Sequence, residues 1–223
     1  GVHTIDAVNP GPGGGASNPL TLTVFQSVPV PTIAALDPPE VRAGSSDAWV
    51  IVKGTGFLPW STVTLAGKAH PTVTYKNDKE IVVMVLAASL KTVATLPIVI
   101  TNPDNSAKVS LAADFKVVNA GNGLPFVNTM SPASAAKGSS SVKVTGTGGA
   151  MLAGARVWVD GTPRQTLTAP ATSFSQTLFS TDLNTAGTYQ ITIQNPPPGG
   201  GFAIPKTFTV TGSNPAPIVT AMA

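Results

Sequence analysis

Apolar side chains alternate with other residues along short runs of this chain: Val50 and Val52, Val63 and Leu65, Val142 and Val144, Val157 and Val159. A period of two is what half-buried β-strands require, because successive side chains point to opposite faces of a sheet. Turn residues such as Lys53-Gly-Thr-Gly56 and Asn195-Pro-Pro-Pro-Gly199 interrupt these runs, at the spacing of about 8–12 residues expected of an antiparallel sandwich. Residues 86–90 and 179–183 each predict a single helical turn, and no longer helix is expected.

The pattern repeats. Asn-Pro occurs at Asn9-Pro10, Asn102-Pro103 and Asn195-Pro196, a step of 93 residues. Ile5, Ile98 and Ile191 keep that step, as do Leu22, Phe115 and Phe208, and Val24, Val117 and Val210. A second landmark, Pro31-Thr-Ile-Ala-Ala-Leu-Asp-Pro38, recurs as Pro125-Phe-Val-Asn-Thr-Met-Ser-Pro132 and begins again at Pro217. Between the landmarks, Gly54-Thr-Gly56 aligns with Gly146-Thr-Gly148, and Gly67 with Gly161. Each unit has room for about seven short strands, the content of an immunoglobulin-like sandwich.

Pro-x-Ile, a strand ending Val-x-Gly-x-Gly, and a closing Gly187-Thr-Tyr189-Gln-Ile-Thr-Ile-Gln-Asn195-Pro196 resemble the IPT/TIG family of immunoglobulin-like domains. The first complete unit departs from it at Leu96, which replaces the Tyr, and in its Lys91-Thr-Val-Ala-Thr turn. The resemblance implies an all-β fold of tandem immunoglobulin-like β-sandwiches with partial repeats at both ends. It leaves function open, because one fold hosts many roles. The expected organisation is the last two strands of a repeat over 1–25, complete repeats over 29–118 and 124–211, and the first strand of another over 215–223.

The hairpin at 1–25 would carry Ile5, Ala7, Leu22 and Val24 at core positions without the strands that cover them. An isolated hairpin is marginal in water. Two explanations stand: the chain is a segment of a longer tandem array, or its ends meet those of neighbouring copies head-to-tail and propagate a filament. In the second case Ile5, Ala7, Leu22 and Val24 at one end and Ile218 and Met222 at the other are the end-to-end contacts.

Composition narrows the function. Only 10% of residues are charged, well under the usual quarter, and uncharged polar residues, Gly and Pro stand in their place. The net charge of +3 is spread singly along the chain, without the stripe that nucleic-acid binding needs. There are no cysteines, so disulfides and thiolate metal sites are ruled out. The apolar run at 81–90 is too short to span a bilayer, and no export signal is read in these residues, so the signal of an exported protein would lie outside them or have been removed.

Candidate chemistry is sparse. His3 aligns with Tyr189 and is expected to fill the corner where that Tyr packs; His70 is expected to be solvated. Glu40 and Glu80 read as solvated turn residues, without the facing pair that glycoside hydrolysis needs. The glycine runs at 11–15 and 199–201 have no following helix and Lys, so phosphate binding is not supported. No catalytic residue, cofactor or metal site is assigned.

The aromatics say more. If Val50, Val52, Val157 and Val159 face inward, then Trp49, Ile51 and Trp158 face outward, while Trp60 sits at a loop tip. Large exposed apolar groups are rarely left bare. Three covers are open: a neighbouring repeat, a protein partner or filament contact, or a sugar ring. The sequence therefore reads as a non-enzymatic structural or adhesive segment of a bacterial extracellular or cell-surface protein. Its short linkers, 26–31 and 119–125, would hold neighbouring sandwiches semi-rigidly. The alternatives are a filament subunit and a carbohydrate-binding module. Partners are neighbouring repeats or copies of itself, with a surface glycan or protein as a further candidate; neither nucleic acid nor membrane insertion is expected.

Overall fold

The computed structural model describes residues 1–24, 27–104 and 108–212. The strand expected over 215–223, with Ile218 and Met222, lies outside the described residues. Alternation does what it promised: strands dominate, and the two expected helical turns are a 3-10 turn at Ala87–Ser89 and a short α-helix at Ser180–Leu183.

Strands β1 (Val2–Ile5) and β2 (Leu20–Thr23) form a two-stranded sheet of their own. The first sandwich comprises β3 (Thr32–Asp37), β4 (Glu40–Arg42), β5 (Ala48–Thr55), β6 (Thr62–Leu65), β7 (Lys68–Ala69), β8 (Val73–Asn77), β9 (Glu80–Val85), β10 (Ala94–Asn102), β11 (Lys108–Val109) and β12 (Ala113–Val118). One sheet runs β3-β5-β9-β8 and the other β4-β12-β10-β6-β7, with β11 extending β10. The second comprises β13 (Phe126–Ser131), β14 (Ser134–Ala136), β15 (Ser141–Met151), β16 (Arg156–Val159), β17 (Thr162–Thr166), β18 (Ala171–Phe179), β19 (Gly187–Asn195), β20 (Gly201–Phe202) and β21 (Lys206–Thr211). Its sheets are β13-β15-β18 and β14-β21-β19-β16-β17. In each, the chain switches sheets after its first strand, so that β4 and β14 pair in parallel with the last strand. Both are immunoglobulin-like sandwiches.

The inward residues read from the alternation are the core. Val50, Val52, Val63, Ile98, Ile100 and Phe115 are buried in the first sandwich, and Val144, Val157, Val159, Ile191, Ile193 and Phe208 in the second. The glycine alignment, however, slips by two residues. Ile33 lies opposite Gly54, and Val127 lies opposite Gly148, so Gly54 corresponds to Gly148 and not to Gly146. Gly148 shares the constraint of Gly54: a Cβ there would lie 1.9 Å from the Phe126 carbonyl oxygen, and on Gly54 1.8 Å from that of Thr32. Gly146 answers to Val52 and lies opposite Phe174, where the first sandwich has Ile81. A large–small exchange explains it: a Cβ on Gly146 would come within 2.2 Å of the Phe174 ring. The place of Phe57 is taken by the buried Met151.

The Asn-Pro period also has a physical cause. The Asn102 amide donates to the carbonyls of Pro29 (2.9 Å) and Gly56 (2.7 Å), and its Oδ1 accepts from Ser61. Asn195 donates to Gly123 (2.9 Å) and Ala150 (2.7 Å), and its Oδ1 accepts from the Leu152 N–H at 3.1 Å. Each buried asparagine thus ties the segment entering its sandwich to the end of the third strand of that sandwich and the loop that leads to the fourth.

Candidate functional site: the joint between the sandwiches

On β5 the inward Val50 and Val52 turn Trp49 and Ile51 to the opposite face, and on β16 Val157 and Val159 do the same for Trp158. The two outer faces meet. Trp49, Ile51 and Trp158 are all buried, and Trp158 and Phe202 belong to the same apolar cluster as the first sandwich's core. The indoles stack with ring centroids 6.4 Å apart and planes within 15°. Phe202 closes the cluster edge-on, 6.1 Å from Trp49 and 5.3 Å from Trp158. Aromatic pairs in these geometries contribute about 0.5–1.5 kcal/mol beyond the area they bury. Close approach is permitted by the Asp160-Gly161 turn: Gly161 has φ +73°, and a Cβ on it would lie 3.1 Å from the Trp49 ring. The Trp158 Nε1–H is buried here without a protein acceptor, and the contacts among the three rings are packing contacts.

A polar clamp flanks the rings. The Arg156 guanidinium grips Asp37 with both ends, Nη2 to Oδ1 at 2.6 Å and Nη1 to Oδ2 at 2.9 Å. Its Nε donates to Gln194 at 3.0 Å, and its plane lies 5.0 Å from the Trp158 ring centroid. Such bidentate, charge-assisted contacts fix geometry as well as adding energy. The hydrogen bond from Arg156 holds the Asp37 carboxyl below its ordinary range against the opposing effect of burial, with Lys53 3.6 Å away assisting. Burial pushes the nearby Asp160 carboxyl up, although it accepts the Gln190 N–H at 2.6 Å.

Backbone contacts complete the joint. Arg42 N–H donates to Gly200 (2.8 Å), Ser46 N–H to Phe202 (3.2 Å), Phe202 N–H to Ser45 Oγ (3.0 Å) and Gly199 N–H to the Glu40 carboxylate (2.7 Å). The glycine run at 199–201 serves this approach: all three have positive φ, and a Cβ on Gly201 would lie 2.9 Å from Ser45 Oγ. The linker is pinned to the same loop, Asn122 N–H donating to Pro198 and its carbonyl accepting from Gly200 N–H at 2.8 Å. Arg42 Nη1 reaches the Gly121 carbonyl at 3.1 Å.

Several readings are corrected by this arrangement. Glu40 is no solvated turn residue but a strand residue engaged across the joint. His70 donates from Nε2 to the Met84 carbonyl at 2.8 Å, and His3 is exposed rather than packed in a corner. Trp60 stands apart from the joint, 47% exposed, at the start of a segment that borders an open groove of about 480 Å³ lined by Ser61, Thr62, His70 and Pro71 among others. The hairpin residues Ile5, Ala7, Leu22 and Val24 are exposed. Among the described residues no group of three or more His, Cys, Asp or Glu could hold a metal ion. No described helix is long and apolar enough to cross a membrane.

Asp37, Arg156 and Phe202 were not singled out in the sequence, yet a signal was present. The joint is where the two units differ: Arg156 and Trp158 stand where the first sandwich has Thr62 and Thr64, and Phe202 where it has Val109. On the corrected register Trp49 and Ile51 answer to Lys143 and Thr145, both exposed. Departures from the period, rather than the period itself, mark the contact.

No protein-family model matches the chain, and no curated protein matches it. Among solved structures, it is similar to SGBP-B of the Bacteroides ovatus mixed-linkage glucan utilization locus, in complex with a mixed-linkage heptasaccharide: 18% identity, TM-score 0.33, covering 90% of this chain and 49% of that one. It is similar to a Ca2+-stabilized adhesin that helps an Antarctic bacterium bind ice, at 17% identity, TM-score 0.31, covering 96% and 57%. The fibronectin(III)-like modules of Clostridium thermocellum CbhA match at 10% identity, TM-score 0.28, covering 80% and 93%. The chain thus spans about half the length of the glucan-locus protein.

Proposed function

We propose that this chain is a non-enzymatic structural segment of a bacterial extracellular or cell-surface protein, built from IPT/TIG-like repeats. Its task is to set the direction and spacing of whatever the repeats carry. The buried Trp49–Trp158–Phe202 joint with its Arg156–Asp37 clamp is the observation that carries this reading. A string of independent sandwiches has no need of a desolvated interface between repeats. A surface that is polar but poor in charge fits an exported β-protein, and the repeat motifs around Asn102 and Asn195 fit the family.

The partly exposed Trp60 and its neighbouring groove favour a second reading, a carbohydrate-binding module, since exposed aromatic faces stack on sugar rings. Calorimetric titration with a panel of soluble polysaccharides separates the two. The structural reading predicts no saturable heat. Saturable binding lost in Trp60→Ala would move the assignment to the second.

A further inference from the structure

We infer that the amino-terminal hairpin is a docking surface for the first-half strands of another immunoglobulin-like sandwich of this same repeat type. The inference rests on the repeat and not on the spacer reading. Three observations converge on that one occupant.

First, the hairpin is built in the register of a sandwich's closing strands. His3 lies opposite Leu22, Leu96 opposite Phe115, and Tyr189 opposite Phe208. Its apolar face is uncovered, Ile5 being 54% and Leu22 47% exposed, whereas their equivalents Ile98, Ile191, Phe115 and Phe208 are fully buried. What buries those equivalents is the sheet of strands β3, β5 and β9, or β13, β15 and β18.

Second, Asn9 occupies the position of Asn102 and Asn195 but is exposed. The partners that the other two asparagines bind lie in the segment entering the sandwich and at the end of its third strand. A first half supplies both at once, which an apolar surface of another kind would not.

Third, the near end of the first sandwich has a groove of about 310 Å³ lined by Val30, Pro31, Thr32, Ile33, Val109 and Leu111. The repeat carries these onto Leu124, Pro125, Phe126, Val127, Phe202 and Ile204, which line the groove at the joint; there Gly44 and Ser46 of the preceding sandwich form the facing wall. That wall is the loop between the first-half strands β4 and β5. The empty groove therefore expects the same loop from the same half.

The test fuses residues 29–93 ahead of Gly1 in the full chain and follows hydrogen exchange of the β1 and β2 amides. Docking predicts at least a hundredfold slowing relative to the unfused chain, reversed by Leu22→Asp. Ala7 and Leu22 are smaller than Ile100 and Phe115, so a second fusion carrying Ala7→Ile and Leu22→Phe restores the side chains that the 29–93 half normally meets. Unprotected hairpin amides in both fusions would overturn the proposal. So would concentration-dependent dimerisation of the unfused chain that protects the same amides, since the occupant would then be a second copy.

Discussion

At the scale of single residues, Asn195 shows how a motif visible in sequence comes to be kept by the fold. Its amide satisfies two carbonyls and one N–H from segments 43 to 72 positions away. Removing the side chain leaves those groups unpaired, and each buried unsatisfied group costs about 1–3 kcal/mol. Asn195→Ala is therefore expected to destabilise the second sandwich by roughly 3 kcal/mol in denaturant titration. Asn9→Ala, at an exposed position, should leave stability unchanged. The sequence displayed the period but not its cause, because the partners are backbone groups with no signature of their own. Asp37 and Glu40 were illegible for a related reason: beside prolines they look like turn residues, and their partners lie 119 and 159 positions away.

Among strands, alternation located the elements and their inward faces, yet it could not set the alignment of β5 with β15. Two glycines with a Thr between them occur in both, but cross-strand pairing fixes register, and pairing is invisible in a single chain. The Val52–Ile81 pair of the first sandwich is Gly146–Phe174 in the second, so one large side chain fills the space that two branched ones share, and the fit is kept across the pair rather than at each position. This predicts strong coupling. Gly146→Val should destabilise by about 3 kcal/mol through overpacking, and Phe174→Ile by about 1–2 kcal/mol through the space left over the glycine. The double substitution should recover most of the loss. Additive losses in a double-mutant cycle followed by thermal unfolding would show that the two side chains do not share one space.

For the whole molecule, linker length suggested semi-rigid neighbours, and the structure replaces a strung arrangement with two sandwiches packed through their outer faces. The joint is specific to this pair, since the faces that would repeat it carry Lys143, Thr145, Thr62 and Thr64. Burial makes its rings the largest contributors: Trp158→Ala is expected to cost about 3–5 kcal/mol and to split a single calorimetric transition into two. The Asp37 clamp adds a pH dependence of definite sign. Its carboxyl is held below the ordinary value of 3.8 in the folded protein. Its contribution is therefore complete above that value and is lost as pH falls through the lower, folded one. Asp160 is raised and acts in the opposite sense, so the comparison must be made against Asp37→Asn. The stability difference between the native chain and that variant should be constant near neutral pH and should shrink below about pH 4.

Rigidity of the pair is the central claim, and the absence of cysteine makes it directly measurable. Spin labels at Lys68→Cys and Lys143→Cys, exposed positions on the two sandwiches, report the distance across the joint by pulsed electron resonance. The joint predicts one narrow distance distribution that broadens in Trp158→Ser. A broad distribution in the native chain, or a narrow one that Trp158→Ser leaves untouched, would contradict it.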